Sequence, residues 1–195
     1  MYKIAFIVGS VRKGSFNRRV AALAEKMLGD RAEVTYIDPS SVPFMNQDAE
    51  FPAPMAVREA RDIVSSCDAV WIFTPEYNRA IPGVLKNLLD WLSRPLNPSD
   101  PDHISAVTGK YVIITGVGGG KKTEFCRKQL SEVLRFMNMS LLDGEGRGFS
   151  VDRRAFVEDK WDPAEHCKED LAEQIAVLME GLADPIPWSE NISGM

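Results

Sequence analysis

The chain has 195 residues, a formal net charge of −5 and 45% hydrophobic residues, values typical of one globular domain. No apolar run approaches the roughly 20 residues of a membrane-spanning helix, and the acidic balance disfavours nucleic-acid binding, which relies on a basic surface. Three scattered cysteines and two histidines predict no metal site, and the polar residues after Val8 are unlike a signal peptide, so we expect a cytoplasmic protein.

Short apolar segments alternate with amphipathic ones along the chain, which is typical of an α/β fold with a parallel sheet and helices on both faces. Strands are predicted over residues 4–8, 33–37, 69–74, 111–115 and, more weakly, 139–142. Helices are predicted over residues 20–28, 57–66, 82–92 and 125–137, and from an N-cap at Asp162 to Leu182. We treat residues 1–195 as one domain, with residues 183–195 as a C-terminal tail.

The loop after the first strand has the features of an anion site. In parallel sheets ligands bind at the carboxyl ends of strands, and the N-terminus of the helix that follows attracts anions. Ser10, Ser15 and Asn17 supply short hydrogen-bonding side chains, and Arg12 supplies a guanidinium group suited to phosphate. The alternative is a helix that is simply capped by Ser15 and Asn17.

The spacing of Gly9 and Gly14 in this loop is close to that of a nucleoside-triphosphate loop. However, Ser15 stands where the lysine of that motif belongs, and Phe16 stands where its metal-binding hydroxyl belongs. The loop therefore suits one terminal phosphate better than a triphosphate.

Two further loops, residues 75–82 and 116–122, fall at the same edge of the predicted sheet. Prolines at both ends of the first restrict its backbone, and Tyr77 adds an aromatic surface. Glycines in the second permit close approach of a ligand. For the first of these loops, the alternative is a stiff connector in which Glu76 and Asn78 cap the helix that follows. For the second loop, the alternative is a flexible turn. Taken together, the three loops suit a flat ring joined to a single phosphate, which describes FMN.

Two segments, GSVRKGSFNRRVA at residues 9–22 and PEYNRAIPGVLKNLLDWLSR at residues 75–94, resemble the NADPH-dependent FMN reductase family, which includes quinone and chromate reductases. The resemblance covers roughly residues 1–142, and residues 143–161 depart from it. It implies a flavodoxin-like three-layer sandwich with a five-stranded parallel sheet in the order 2-1-3-4-5, and FMN bound without a covalent link.

The resemblance also assigns roles to particular residues. It implies a homodimer or homotetramer that assembles through the helix Pro82–Leu92, whose apolar face is wide. It places Tyr77, Asn78 and Arg79 in the substrate pocket. The implied FMN-binding residues are Ser10, Arg12, Gly14, Ser15, Phe16 and Asn17 at the phosphate, Pro75, Glu76, Tyr77 and Asn78 at the isoalloxazine ring, and Gly116 at its pyrimidine end.

We therefore expect an enzyme in which NADPH or NADH passes a hydride to N5 of FMN, and a quinone or similar small acceptor then takes it in a ping-pong cycle. No side chain is required as an acid or base. The alternatives are an electron carrier of the flavodoxin type, a flavin reductase that releases reduced FMN, and a flavin-free binding module. In electron carriers of the flavodoxin type the first loop usually reads TxTGxT, unlike the segment GSVRKGSFN at residues 9–17 of this chain.

Overall fold

A computed structural model describes residues 1–184, and its centre is one parallel sheet. The strands are β1 (Tyr2–Val8), β2 (Ala32–Ile37), β3 (Ala69–Thr74), β4 (Tyr111–Gly118), β5 (Ser140–Leu141) and β6 (Arg147–Ser150). Their order is β2-β1-β3-β4-β5, and β6 pairs with β4. This confirms the predicted flavodoxin-like order.

Helices cover both faces of the sheet. They are α1 (Phe16–Leu28), α2 (Met55–Ser66), α3 (Gly83–Leu92), α4 (Glu124–Phe136), α5 (Arg153–Glu158), α6 (Pro163–His166) and α7 (Lys168–Ala183). Side chains of a strand alternate between the two faces. Ala5 and Ile7 accordingly belong to a core with α2, α3 and α4, whereas Ile4 and Phe6 belong to a second core with α1 and α7.

The fifth position of the sheet is occupied by two short strands. β5 pairs with Tyr111 and Val112, and β6 pairs with residues 115–118 farther along β4. The turn between them packs directly on β4, because a Cβ atom at Gly146 would lie 2.0 Å from Ile114 O. The sequence did not predict β6. It also ended β4 too early, because residues 116–118 continue the strand and the loop begins at Gly119.

The final helix is interrupted, although a single helix was predicted. Asp162 is the N-cap, as predicted, and accepts a hydrogen bond from Ala164 N at 2.8 Å. The helix ends after one turn and begins again beyond Cys167. The predicted buried stripe on α7 is confirmed, and it comprises Leu171, Ile175, Leu178 and Leu182. Of the predicted tail, residues 185–195 lie outside the described residues.

The apolar face of α3 is covered by the core of the same chain. Leu85, Leu88, Leu89, Trp91 and Leu92 are each at most 1% exposed. The wide apolar face of α3 is therefore accounted for by the core of one chain, and assembly through this helix stays a prediction. Among residues 1–184, no helix is both long and apolar enough to cross a bilayer.

Candidate functional site

The three predicted loops are fastened to one another at the carboxyl edge of the sheet. Gly9 N donates to Phe73 O at 2.8 Å, which joins the end of β1 to the end of β3. Asn17 Oδ1 accepts from Val117 N at 3.0 Å, and its Nδ2 donates to Val117 O at 3.1 Å. Both atoms of the Asn17 amide are therefore used to hold α1 against β4, and this side chain positions the loops.

The first loop binds a carboxylate from its own chain. Arg12 Nη2 lies 2.7 Å from Asp159 Oδ1, and Arg19 Nη2 lies 3.0 Å from the same oxygen. Gly14 allows this, since a Cβ atom there would lie 2.5 and 2.6 Å from the two carboxylate oxygens. Anion binding by this loop is thus visible in the structure.

The N-terminus of α1 contributes to the same anion site. Ser15 is the N-cap, and its Oγ accepts from Arg18 N at 3.3 Å, so its hydroxyl proton can still be donated to an anion. Ser10 is 5% exposed and lies two residues after the end of β1. A cavity of about 490 Å³ opens beside this helix end; it is lined by Lys13, Gly14, Ser15, Arg18, Arg19, Ala22 and Asp159.

Phe16 supports the two guanidinium groups. Its ring is 3% exposed and packs edge-on against Phe156 and Trp161, with ring centroids 5.0 and 5.7 Å away. The guanidinium carbons of Arg12 and Arg19 lie 4.8 and 5.0 Å from its centroid. Phe16 therefore fixes the arginines by cation–π contact.

The second loop forms a tight turn at the end of β3. Tyr77 and Ala80 exchange both backbone hydrogen bonds, at 3.3 and 3.0 Å. Asn78 and Arg79 between them have φ values of 53° and 60°, in the left-handed region. The turn leaves the Tyr77 side chain 51% exposed, so an aromatic surface is presented at this edge.

Helix α4 anchors this turn. Glu76 Oε2 accepts from Cys126 N at 2.9 Å, and Gln129 Oε1 accepts from Ile81 N at 3.1 Å. Arg79 lies over the ring of Phe125, at 4.8 Å from its centroid. The alternative in which Glu76 and Asn78 cap the helix that follows the loop is wrong, because α3 has Pro82 as its N-cap and no side-chain capping hydrogen bond. Glu76 binds the N-terminal turn of α4 instead.

The third loop is shaped by Gly116 and Thr123. Thr123 is 1% exposed, and its Oγ1 lies 1.7 Å from the position that a Cβ atom of Gly116 would take. This hydroxyl is buried without a hydrogen-bond partner. Gly119 and Gly120, in contrast, have no atom within 4 Å of a Cβ position, so their backbone is open to a ligand.

The cysteines are buried thiols that are poorly suited to nucleophilic chemistry. Burial raises the pKa of Cys126 to about 11 and that of Cys167 to about 12, and it also raises the pKa of Cys67. In residues 1–184, no group of three or more His, Cys, Asp or Glu side chains is arranged to hold a metal ion.

The structure thus places Arg12 and Gly14 against the Asp159 carboxylate and Ser15 at the N-terminus of α1, and Ser10 is buried two residues after β1. Pro75, Tyr77, Asn78 and Arg79 lie in the turn after β3. Asn17, Glu76 and Gly116 hold the loops together. Sequence reasoning missed Arg19, although this residue lies one helical turn after Ser15 and so shares its face. Nothing in the sequence pointed to Asp159, which is 140 positions beyond Arg19.

The residues present fit a flavin mononucleotide. Two guanidinium groups already bind a carboxylate, and the N-terminus of α1, which favours anions, begins beside them. The turn and the open glycines beside them offer backbone groups and an aromatic surface to a planar ring.

Comparison with known proteins agrees with this fit. Residues 2–149 match the family described as NADPH-dependent FMN reductase. A 2-hydroxy-1,4-benzoquinone reductase from Burkholderia sp is 39% identical over 97 residues, which are 50% of this chain and 53% of that protein. A quinone reductase from Escherichia coli is 34% identical over 150 residues, which are 72% of this chain and 73% of that protein. The match to the Burkholderia protein thus spans about half of its length.

Among solved structures, a flavoenzyme NAD(P)H:(acceptor) oxidoreductase from Paracoccus denitrificans has a similar fold. The TM-score is 0.77 at 24% identity, and the match covers 91% of this chain and 95% of that one. At this identity the likeness concerns the fold alone. The match over residues 2–149 shows that the chain belongs to the NADPH-dependent FMN reductase family.

Proposed function

We propose that the protein is an FMN-dependent NAD(P)H oxidoreductase that reduces a quinone or a similar small electron acceptor. The observation that carries the proposal is the anion site of Arg12 and Gly14, fastened through Asn17 to the carboxyl end of β4. Family membership supports FMN as the flavin and NAD(P)H as the reductant. The names of the quinone reductases among its relatives support the class of acceptor.

The phosphate of FMN would lie at the end of β1. Arg12 would pair with it, and Ser10 and Ser15 would donate hydroxyl hydrogen bonds. The N-terminus of α1 adds a favourable partial charge. Phe16 would act by holding the arginine, and Asn17 by positioning the loop.

The flavin ring would lie along the turn at residues 75–79 and the glycines that follow β4. Backbone N–H and C=O groups of this turn are fixed by Glu76 and by the paired Tyr77 and Ala80. Tyr77, Asn78 and Arg79 are exposed and would line the pocket in which nicotinamide and acceptor bind in turn.

When bound, FMN would supply the redox chemistry, with N5 as the atom that takes up a hydride from NAD(P)H for delivery to the acceptor. The chain would contribute the orientation of the ring and of the two substrates. The exposed Tyr77 ring would cover an apolar acceptor.

A homo-oligomer and a cytoplasmic location belong to the same proposal. Phe136 is 89% exposed, and it lines a groove of about 460 Å³ between α3 and α4, which offers an apolar contact to a second copy. The mass in solution, from sedimentation equilibrium, tests the oligomer: a monomer at micromolar concentration would overturn it.

Steady-state kinetics test the reaction. The protein loaded with FMN is mixed with NADPH and a benzoquinone, and initial rates are measured at several concentrations of both. Parallel double-reciprocal lines are expected, because NADP⁺ leaves before the quinone binds. Intersecting lines would contradict the ping-pong order. Failure to reduce the quinone, with reduced FMN recovered in an ultrafiltrate, would indicate a flavin reductase instead.

A further inference from the structure

Arg12 and Arg19 approach one carboxylate oxygen from two directions. Their Nη2 atoms lie 2.7 and 3.0 Å from Asp159 Oδ1. We propose that Arg19 is a second phosphate-binding residue beside Arg12, and that the Asp159 carboxylate occupies the phosphate position until a phosphate group displaces it. That this phosphate belongs to FMN rests on the proposed function.

Asp159 lies directly on the phosphate loop. A Cβ atom at Gly14 would be within 2.6 Å of both its carboxylate oxygens, so the carboxylate is in contact with the loop backbone. The guanidinium group of Arg12 also donates to Gly14 O, which places that group at the mouth of the loop. The carboxylate and an incoming phosphate would therefore compete for the same donors.

The contact of Asp159 is weak enough to be displaced. Its side chain is 50% exposed, and those of Arg12 and Arg19 are 40% and 32% exposed, so water screens both ion pairs. A phosphate monoester offers more negative charge and one more oxygen to the same guanidinium groups.

Arg19 stays in position when the carboxylate leaves. Its Nη1 and Nη2 donate to the backbone oxygen of Asp159 at 3.1 and 3.0 Å, and its guanidinium group stacks on Phe16. These contacts do not involve the carboxylate. Arg19 is thus fixed in place for an anion whether or not the Asp159 side chain is turned toward it.

Asp159 belongs to the part of the chain that lies beyond the family match, which ends at residue 149. Residues 153–166 reach the phosphate loop because Phe156 and Trp161 pack on Phe16. Competition by Asp159 would therefore set how tightly this particular chain holds a phosphate.

The main test measures binding of inorganic phosphate and of FMN to the flavin-free full chain. Amide chemical shifts of residues 14–16 report phosphate, and quenching of flavin fluorescence reports FMN. Asp159→Asn keeps the shape but removes the charge. It is expected to lower the dissociation constants of both ligands by about three- to tenfold, since two exposed ion pairs are released. Riboflavin, which lacks phosphate, should bind equally to both proteins.

The matched control is Glu158→Gln, which removes one negative charge from the neighbouring position. Glu158 pairs with Arg154 and touches neither arginine of the site. Glu158→Gln should leave the dissociation constants of phosphate and FMN within about a factor of two of those of the unchanged protein. An equal gain in Glu158→Gln and Asp159→Asn would overturn the proposal, because the effect would then reflect net charge.

Arg19 is tested in the Asp159→Asn background. If Arg19 contacts phosphate, adding Arg19→Ala to that variant raises the dissociation constants of phosphate and FMN by about tenfold. No change would mean that Arg19 only holds Asp159, and it would overturn this half of the proposal. Thermal unfolding of each variant checks that the fold is retained.

The two proposals fail separately. We call the proposed phosphate site of Arg12 and Arg19 the two-arginine site. If phosphate affinity responds as expected while no variant takes up FMN, the proposed function is wrong and the two-arginine site stands. If FMN binds with the same affinity to the unchanged protein, to Asp159→Asn and to the double variant, the two-arginine site is wrong and the proposed function stands.

Discussion

The side-chain amide of Asn17 accepts from the backbone N–H of Val117 at 3.0 Å and donates to its C=O at 3.1 Å, although the two residues are 100 positions apart. Asn17 is 3% exposed, and Val117 is also 3% exposed. The phosphate loop and the end of β4 are therefore held at a fixed separation before any ligand binds.

Removing this amide is expected to destabilise the protein even without flavin. Asn17→Ala leaves the buried Val117 N–H and C=O without partners, so the free energy of unfolding should fall by about 2 kcal/mol. Urea unfolding of the flavin-free protein measures this. Lys26→Ala, on the exposed side of the same helix, should change it by less than about 0.5 kcal/mol. An unchanged stability in Asn17→Ala would mean that Asn17 serves the ligand and not the fold.

A side chain at position 116 is expected to collide with Thr123. In Gly116→Ala the new Cβ would meet Thr123 Oγ1, and we expect a loss of about 2 kcal/mol from overpacking. Adding Thr123→Ala removes the colliding hydroxyl. The double variant should therefore regain about 1 kcal/mol relative to the sum of the single variants. Strict additivity would contradict this packing.

Replacing Gln174, a polar side chain in the core beneath α7, is expected to destabilise the protein. Gln174 is fully buried; Oε1 accepts from Thr115 Oγ1 at 2.7 Å, and Nε2 donates to Ile114 O and Asp143 Oδ2, both at 3.0 Å. Gln174→Leu should lower the free energy of unfolding by about 2–3 kcal/mol, since several buried groups lose partners. Glu180→Leu, on the exposed side of α7, serves as the control in the same denaturation experiment. Similar effects of the two changes would argue against the network.

Alkaline pH is expected to destabilise the fold through the buried thiols. Burial raises the pKa of Cys126 to about 11 and of Cys167 to about 12, whereas both thiols ionise near pH 9 in the unfolded chain. Above pH 9 the unfolded chain therefore loses protons that the folded chain keeps. The stability from these thiols, fully present below pH 9, then declines toward pH 12.

Urea unfolding at pH 8, 9.5 and 10.5 measures this decline. The Cys126→Ala/Cys167→Ala variant should show a shallower decline than the unchanged protein, because other titrating groups cancel in the comparison. Equal slopes would show that the thiols ionise alike in both states.

Local patterns in the sequence were sufficient to predict the central strands. Residues 4–8 of β1 and all of β3 are buried, and continuous apolar runs of that length are typical of the middle of a parallel sheet. β6 was missed because it has only four residues and one of them is Gly148, which has low strand propensity. Its strand conformation comes from pairing with β4, which is a long-range contact.

The part of the site that is formed by residues close together in the sequence could be predicted. Arg12, Gly14 and Ser15 stand at a strand–helix junction, and that position alone indicates an anion site. The partners supplied from far along the chain could not be predicted in this way. Asp159 reaches Arg12 across 147 positions. Thr123 covers Gly116 because Lys122 and Thr123, directly before α4, are both left-handed.

The visible spectrum of the purified protein, recorded anaerobically before and after one equivalent of NADPH, tests the central claim most directly. After incubation with FMN and removal of excess flavin, we expect a protein-bound flavin absorbance near 450 nm that is bleached by NADPH and restored by a benzoquinone. A protein that retains no FMN, or whose bound FMN keeps its absorbance when NADPH is added, would contradict the account.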